Sequence, residues 1–360
     1  MSWTPKYTIT KEILADLTKI ETVKDSFDDK PLSPVLLSSL HKTAKIAQTH
    51  YSTQIEGNRL TLKQVENALY TSNNKAKNYQ GHDEKEVKSY YEAINYMEKY
   101  LDSHSPFSLS FIQKVHSIVE GSKKNIPYRD AQNAIYDSSD GALVYLPPET
   151  KDVPIMMDDL VKWVQDNIKT LPTPIVAGLF HYQFVTIHPY FDGNGRTARL
   201  ITSYIMRKFG YGLKGIYSLE EYYAKNLGDY YKALATHPHH NYYFGRNVAD
   251  LTSWLEYFTK GVADAFTNIE IKTKEKNITG RADVSPILRK LDIKQRKILE
   301  LFTEFEEITS IQAGEYLNLS SQSARLLLNK WVDTGFLVII NTARKNRTYG
   351  LSKEYEKLIL

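Results

Sequence analysis

Apolar residues recur at helical spacing along most of this chain, with short interruptions that read as strand. Val35, Leu36, Leu40, Ala44 and Ala47 give Pro34 to Ile55 an apolar stripe. Glu56-Gly57-Asn58 should end that helix, because glycine and asparagine accept the left-handed conformation of helix ends. Thr61 and Gln64 form a capping-box pattern ahead of Val65, Ala68 and Leu69, so a new helix opens at Thr61. Thr71 to Gly81 is polar and reads as a loop, after which Glu84 to Leu101 is again amphipathic. Ser108 or Ser110 caps a helix running through Val119. Between Asn125 and Thr150 the pattern changes. Asp140-Gly141 is a turn signal, and Ala142-Leu-Val-Tyr-Leu146 is a strand-like run ended by Pro147-Pro148, which predicts one small hairpin among helices. Helices resume at Val153 to Ile168 and at Pro174 to Thr186, with Pro174 near a start, where proline is favoured.

From Thr267 to Ser285 the chain turns polar, which fits either a linker or the end of a long helix ahead of a last domain. Ile293 to Phe305, Ser310 to Leu317 and Ser320 to Asp333 read as three helices, with a turn at Asn318-Leu319. Within the third, Leu326-Leu-Leu328 is expected to pack. Gly335 then leads to Phe336-Leu-Val-Ile-Ile340, a polar tip from Asn341 to Arg347, and Thr348-Tyr-Gly-Leu351. Three helices followed by a hairpin is winged-helix order.

Composition narrows the classes. A chain of 360 residues with 42% hydrophobic content suits two or three globular domains. The 46 basic and 42 acidic residues nearly balance, so charge does not announce nucleic-acid binding. The absence of cysteine excludes disulfides, thiolate metal sites and a cysteine nucleophile. Met1-Ser-Trp-Thr-Pro-Lys lacks the apolar core of a signal peptide, and no apolar stretch approaches the roughly 20 residues that span a bilayer. The expectation is a soluble cytoplasmic protein without a membrane partner.

The chemistry concentrates in His188-Pro-Tyr-Phe-Asp192-Gly-Asn-Gly-Arg196-Thr-Ala-Arg199. Pro189 blocks the preceding helix, which puts His188 at a rim. Gly193-Asn194-Gly195 lets the backbone turn sharply and approach a ligand, and a helix starts at about Arg196. Unpaired amides at such a helix start attract phosphates. Arg196 and Arg199 are near enough to share one polyphosphate, and Asp192 is a natural magnesium ligand beside it. His188 is the one group there that exchanges a proton near neutral pH. A zinc or iron pair of His188 and Asp192 is the competing reading, but Pro189 and Gly193 spoil the single-helix geometry it uses. No Gly-Lys-Ser/Thr follows the glycines, so this is not a Walker loop. Anion nest, metal ligand, cationic clamp and base together compose a phosphate-transfer site.

The segment resembles the Fic family signature, His-Pro-Phe-x-Asp-Gly-Asn-Gly-Arg-x-x-Arg, with Tyr190 in place of phenylalanine and its ring expected to pack under the loop. Similarity extends over about residues 1 to 265. It implies a mainly α fold with a helical core at 106–265 and an N-terminal helical region at 1–105; a linker or helix extension is expected at 266–284, and residues 285–360, by their own order of elements, resemble a winged-helix domain. It also implies transfer of AMP from ATP to a serine, threonine or tyrosine hydroxyl of a target protein or of the chain itself. His188 would deprotonate the hydroxyl that attacks the α-phosphate. Asp192 would hold magnesium or manganese. The amides of Gly193, Asn194 and Gly195 would cradle the phosphates with Asn194 and Arg196, and Arg199 would meet the γ-phosphate.

Two outlying segments extend the resemblance. Leu143, Val144 and Tyr145 resemble the family's flap, where a target strand pairs with an exposed edge. Tyr230-Tyr231 matches a position of aromatic residues near adenine. Ser52-Thr-Gln-Ile-Glu56-Gly57-Asn58 resembles the inhibitory motif Ser/Thr-x-x-x-Glu-Gly/Asn, whose glutamate pairs with the arginine that here is Arg199. A carboxylate on that guanidinium occupies the place of the γ-phosphate, so an auto-inhibited enzyme is expected. Other donors, removal of AMP with Glu56 positioning a water, and an ATP-sensing DNA-binding regulator remain open. The last domain offers Gln322, Arg325 and Asn329 as base readers and Arg344, Lys345 and Arg347 as phosphate contacts, or serves for dimerisation.

Overall fold

The computed structural model describes residues 3–28, 32, 34–70, 81–103, 105–136, 141–277, 285–303, 305–343, 347–356 and 358–359. The polar stretch 71–80, the turn residue Asp140, the segment 278–284 and the tip residues Arg344 and Lys345 lie outside them. Two compact units emerge, residues 1–25 with 44–270, and residues 26–43 with 271–360.

The element order opens with α1 (Lys11–Asp28), α2 (Pro34–Ile55), α3 (Leu62–Tyr70), α4 (His82–Asp102) and α5 (Leu109–Val119). The expected punctuation operates through defined hydrogen bonds. Gln64 Oε1 accepts from the backbone and hydroxyl of Thr61 at 2.9 and 2.8 Å. Ser108, rather than Ser110, caps α5 by accepting from the Phe111 amide at 3.3 Å. α2 stops where Gly57 takes φ +95°, and the amides of Glu56, Gly57 and Asn58 close back on Thr53 and Gln54.

The hairpin follows as β1 (Ile135–Tyr136) and β2 (Leu143–Tyr145), antiparallel with Ile135 opposite Tyr145. Then come α6 (Val153–Asn167), α7 (Thr173–Ile187) and α8 (Asn194–Lys208), with α9 (Glu220–Lys225), α10 (Leu227–Leu234) and α11 (Thr252–Asn277) beyond. α7 is predominantly apolar, with His181 and Gln183 among its buried residues, and is buried at every residue but Val185, as a helix wrapped by others must be. α8 packs along it, and α11 presses on it at Gly178, whose carbonyl accepts from Trp254 Nε1 at 2.7 Å.

The second unit carries α12 (Ser285–Lys290), α13 (Ile293–Leu301), β3 (Ile308–Thr309), α14 (Ser310–Leu317), α15 (Ser321–Asp333), β4 (Leu337–Asn341), β5 (Thr348–Leu351) and α16 (Lys353–Glu356). Its three-stranded sheet has the order β3-β5-β4, all antiparallel, over a core that includes Ile298, Leu299, Leu328, Trp331, Phe336 and Tyr349. Three details depart from expectation. α13 ends at Leu301, not Phe305, because Phe302 turns into the core and the Thr303 hydroxyl caps the Glu300 carbonyl at 2.6 Å. The two-residue strand β3 is too short to leave a period-2 signal. Leu326 is 67% exposed while Leu328 is buried, since only one side of α15 faces the core.

A Cβ placed on Gly178 meets the Phe258 ring at 2.8 Å and Leu255 at 3.2 Å. Gly178→Ala is therefore expected to destabilise the first unit by about 1–3 kcal/mol, the cost of overpacking a tight helix crossing. Denaturant unfolding measures it, and an unchanged midpoint would mean that α11 yields without strain.

Candidate active site

α7 ends at His188, which takes the left-handed conformation (φ 51°, ψ 59°) ahead of Pro189. Proline disfavours a right-handed residue before it, and the left-handed turn aims the ring out of the helix axis. The His188 Nδ1 faces the Val185 carbonyl at 3.3 Å. A carbonyl only accepts, so Nδ1 carries the hydrogen and Nε2 keeps the lone pair. Burial, with Arg129 adding to it, pushes the imidazole down to about 4, against the opposing pull of Val185, Glu56 and Asp192. The ring is neutral at physiological pH.

The loop beyond it is tied by its own side chains. Asn194 Oδ1 accepts from the Tyr190 amide at 3.0 Å while its Nδ2 donates to the Tyr190 carbonyl at 2.8 Å. The Tyr190 ring lies buried and stacked on His116, centroids 3.5 Å apart and planes within 10°. Gly193 has φ +69°, which favours glycine, and a Cβ there would displace the Glu120 carboxylate from its observed place. The first i→i−4 bond of α8 runs from Thr197 to the Gly193 carbonyl, which leaves the amides of Asn194, Gly195 and Arg196 at the open helix start. Asp192, with its side chain 78% exposed, stands beside them and accepts from the Gly193 amide at 2.6 Å. Among the described residues, no cluster of three or more histidine or carboxylate side chains is suited to a metal.

The two loop arginines have different surroundings. Arg196 is buried against Glu86 at 2.6 Å, Glu120 at 3.1 Å and Asp192 at 3.3 Å. Its guanidinium joins α4 and α5 to α8 and is already engaged by carboxylates. The Asn194 side chain is likewise spent on the loop itself. Arg199 is also buried, and its Nε donates to the Ser52 hydroxyl at 2.9 Å. Its Nη2 donates to the Ser52 carbonyl at 2.8 Å and to Glu56 Oε1 at 2.7 Å. The loop is thus met by α2 and the turn that ends it, where Gln48, Ser52 and Glu56 follow at four-residue steps. Gln48 donates to the buried Glu220 at 2.9 Å. Gly195 is where Glu56 rests: a Cβ there would collide with Glu56 Oε1.

The outlying residues separate into anchors and exposed groups. Tyr145 is buried and its hydroxyl donates to the Thr186 carbonyl at 2.7 Å, which fastens the hairpin to the last turn of α7. Leu143 and Val144 are exposed. The β2 edge is partly taken, because Leu146 bridges in parallel to Asn241 and His240 Nδ1 meets the Val144 carbonyl at 3.1 Å. Tyr230 is buried with its hydroxyl on His181 Nε2 at 2.9 Å, whereas Tyr231 is 51% exposed. Sequence reasoning missed Arg129, Glu86 and Glu120. Their partners lie far along the chain or are backbone carbonyls, and neither leaves a spacing signal.

A helical core holding a histidine at a helix end and an anion nest at the next helix start defines a class. Residues 106–206 match the Fic/DOC family, and this segment is a Fic domain. The protein adenylyltransferase Fic of Drosophila erecta is 28% identical over 198 residues, 54% of this chain and 39% of the relative. That of Nematostella vectensis is 29% identical over 201 residues, 54% and 45%. The matches therefore span less than half the length of these curated relatives. Among solved structures, a Fic family protein from Desulfovibrio desulfuricans superposes with a TM-score of 0.59 at 22% identity, over 98% of this chain and 99% of that one. Fic-1 from C. elegans gives 0.56 at 21% identity, over 73% of each chain. At these identities the likeness is one of fold. No helix among the described residues is long and apolar enough to cross a membrane.

Burial also pushes His116 and His181 down to about 3. With His188, and with His50, which burial also lowers, four imidazoles are harder to protonate folded than unfolded. The unfolded chain therefore binds more protons once pH falls below about 6.5, and stability should decline from there toward pH 4. Melting temperatures of wild type and of His116→Phe over pH 4–8 test this. The wild-type profile should fall before carboxylates titrate, and the variant should fall less steeply; parallel profiles would contradict the assignment.

Proposed function

We propose that this chain is an auto-inhibited protein adenylyltransferase that moves AMP from ATP to a hydroxyl side chain of a protein and releases pyrophosphate. The observation that carries the reading is the Arg199 fork, held by Ser52 and Glu56 beside the open amides of α8. In this reading His188 Nε2 takes the proton of the incoming hydroxyl, which attacks the α-phosphate in line with the departing pyrophosphate. A base lowered to about 4 is weak, and the negative charge of bound ATP raises its proton affinity where it is needed. The amides of Asn194, Gly195 and Arg196 face the phosphates, and Arg199 meets the γ-phosphate. The exposed Asp192 carboxylate fits a hard divalent cation that draws its remaining ligands from phosphate and water, as magnesium or manganese does. That ion would supply charge neutralisation on the phosphates. Leu143 and Val144 offer the target segment an apolar surface on the hairpin, and Tyr231 offers a ring to the base.

Inhibition follows from charge. Arg199 is buried, so its guanidinium needs acceptors, and Glu56 supplies the anionic one in the absence of ATP. A carboxylate there competes with the γ-phosphate, and a nucleotide bound past it has its α-phosphate out of line. We read the second unit as a winged-helix module from its order of helix, short strand, two helices and hairpin. Gln322 and Arg325 are exposed on α15, while Asn329 accepts from the Tyr349 hydroxyl.

Glu56→Gly should raise labelling of the chain itself or of lysate proteins by α-labelled ATP at least tenfold, since one lost competitor for a buried guanidinium is worth about 1.4 kcal/mol or more. His188→Ala added to it should abolish the label. Mass spectrometry reads the added AMP and its site; no gain with either magnesium or manganese would overturn the reading.

A further inference from the structure

Arg129 is a buried arginine on the segment between α5 and β1. It forms no salt bridge among the described residues, so its charge is met by carbonyl dipoles. Its Nε donates to the His188 carbonyl at 2.9 Å, and its Nη1 donates to Ala131 at 3.3 Å. Its Nη2 donates to the Pro148 carbonyl at the foot of the hairpin. Its own amide donates to the Pro189 carbonyl at 2.9 Å. Four residues on, Asn133 Nδ2 lies 3.5 Å from the Tyr190 carbonyl and 3.4 Å from that of Phe191. Gln132 Nε2 donates to Pro147 at 2.9 Å. One five-residue segment therefore faces four consecutive carbonyls, from His188 to Phe191, and holds the Pro147-Pro148 end of the hairpin with its other donors.

We infer that Arg129 is a positioning residue that fixes the His188 ring and the hairpin in one register, with Gln132 and Asn133 completing the clasp. The planar fork explains why arginine serves here: its separate N–H groups reach carbonyls on two segments at once, which a lysine ammonium cannot do from one fixed geometry. The left-handed His188 is the point that needs such support, since a histidine there sits in a sparsely populated backbone region. The nucleotide nest on α8 is tied through Asn194 and Arg196 instead. Loss of Arg129 thus separates base placement from nucleotide binding.

This inference rests on the adenylyl-transfer reading, and the test keeps the two apart. In a Glu56→Gly background, Arg129→Met should lower the turnover number for AMP transfer by about a hundredfold, the scale of a misplacement near 1 Å. ATP affinity by calorimetry should stay near that of the parent, and Arg129→Lys should recover part of the rate. Removing a cation beside His188 raises its proton affinity, so the acid limb of the rate profile should move to higher pH. An NMR titration of the His188 ring reads the same rise without any need for turnover, so it decides even if the Glu56→Gly parent proves inactive and the transfer reading fails. Should Arg129→Met not fold, Asn133→Ala, which removes the Tyr190 and Phe191 contacts together with the Oδ1 acceptor of the Ala134 amide, is expected to cost turnover with ATP affinity intact. Equal losses of turnover and ATP affinity, or an unchanged rate with an unmoved ring titration, would overturn the inference.

Discussion

A guanidinium does not give up its proton at any pH a cell reaches, so burying Arg199 obliges the fold to keep an acceptor beside it. Much of the local architecture answers that obligation. Ser52 supplies a hydroxyl and a carbonyl, and Glu56 the one carboxylate, which places three acceptors from a single face of α2 on one side chain. A Cβ on Gly195 would meet the Glu56 carboxylate, so glycine there leaves room for the carboxylate in its observed position. Gly57 ends α2 just past Glu56 in a left-handed turn, with open space around it, so its role is backbone and not packing. Nearby coulombic partners raise Arg199 above its ordinary value against the opposing effect of burial, the largest single influence. The sign says the cation is stabilised by what surrounds it.

Arg196, three residues earlier on the same helix, meets the same constraint differently. Glu86 and Glu120 hold it from α4 and α5, and these carboxylates belong to the scaffold. Burial pushes Glu120 up, and Arg196 pulls it back down. A buried ion pair contributes little net stability against its desolvation cost, but breaking one is expensive, so it fixes geometry more than it adds stability. One arginine is thus pinned by permanent partners. The other is neutralised by a glutamate on a helix that precedes the Fic domain in sequence.

The sequence was legible where a residue acts on its neighbours. Capping by Thr61 and Ser108, the stop at Gly57, the turn at Asn318 and the stripe of α2 are local events with local signatures. The glycines of the loop and the pairing of Glu56 with Arg199 could be anticipated because a dozen residues of one signature and one short motif carry them. What escaped was non-local. The sequence displays Arg196 beside the nest but not its carboxylate partners, Glu86 on α4 and Glu120 just past the end of α5, which lie far from it along the chain. Arg129 left no trace, since its partners are backbone carbonyls and any sequence supplies those. Strand β3 exists only because β5 comes back to pair with it, and Leu326 is exposed because the core needs one face of α15.

Glu86 connects the Arg196 cluster to the end of α2. Its Oε1 holds Arg196 at 2.6 Å, and its Oε2 accepts from Asn58 Nδ2 at 2.7 Å. Asn58 also donates to the Asp83 carbonyl at 3.0 Å. The end of α2 is therefore fastened to the start of α8 twice, through Glu56 to Arg199 and through Asn58 and Glu86 to Arg196. A further tie, Gln48 to Glu220, lies two turns back along α2. Removing the Glu56 carboxylate breaks one of these and leaves the others, so the helix has reason to stay seated while the position beside Arg199 empties. On the adenylyl-transfer reading, the inhibitory element is then a side chain that can withdraw from a docked helix, and ATP competes with one carboxylate instead of unfolding a segment. The Ser52 hydroxyl and carbonyl would remain on Arg199 after Glu56 withdraws, holding the guanidinium in place to meet the phosphate.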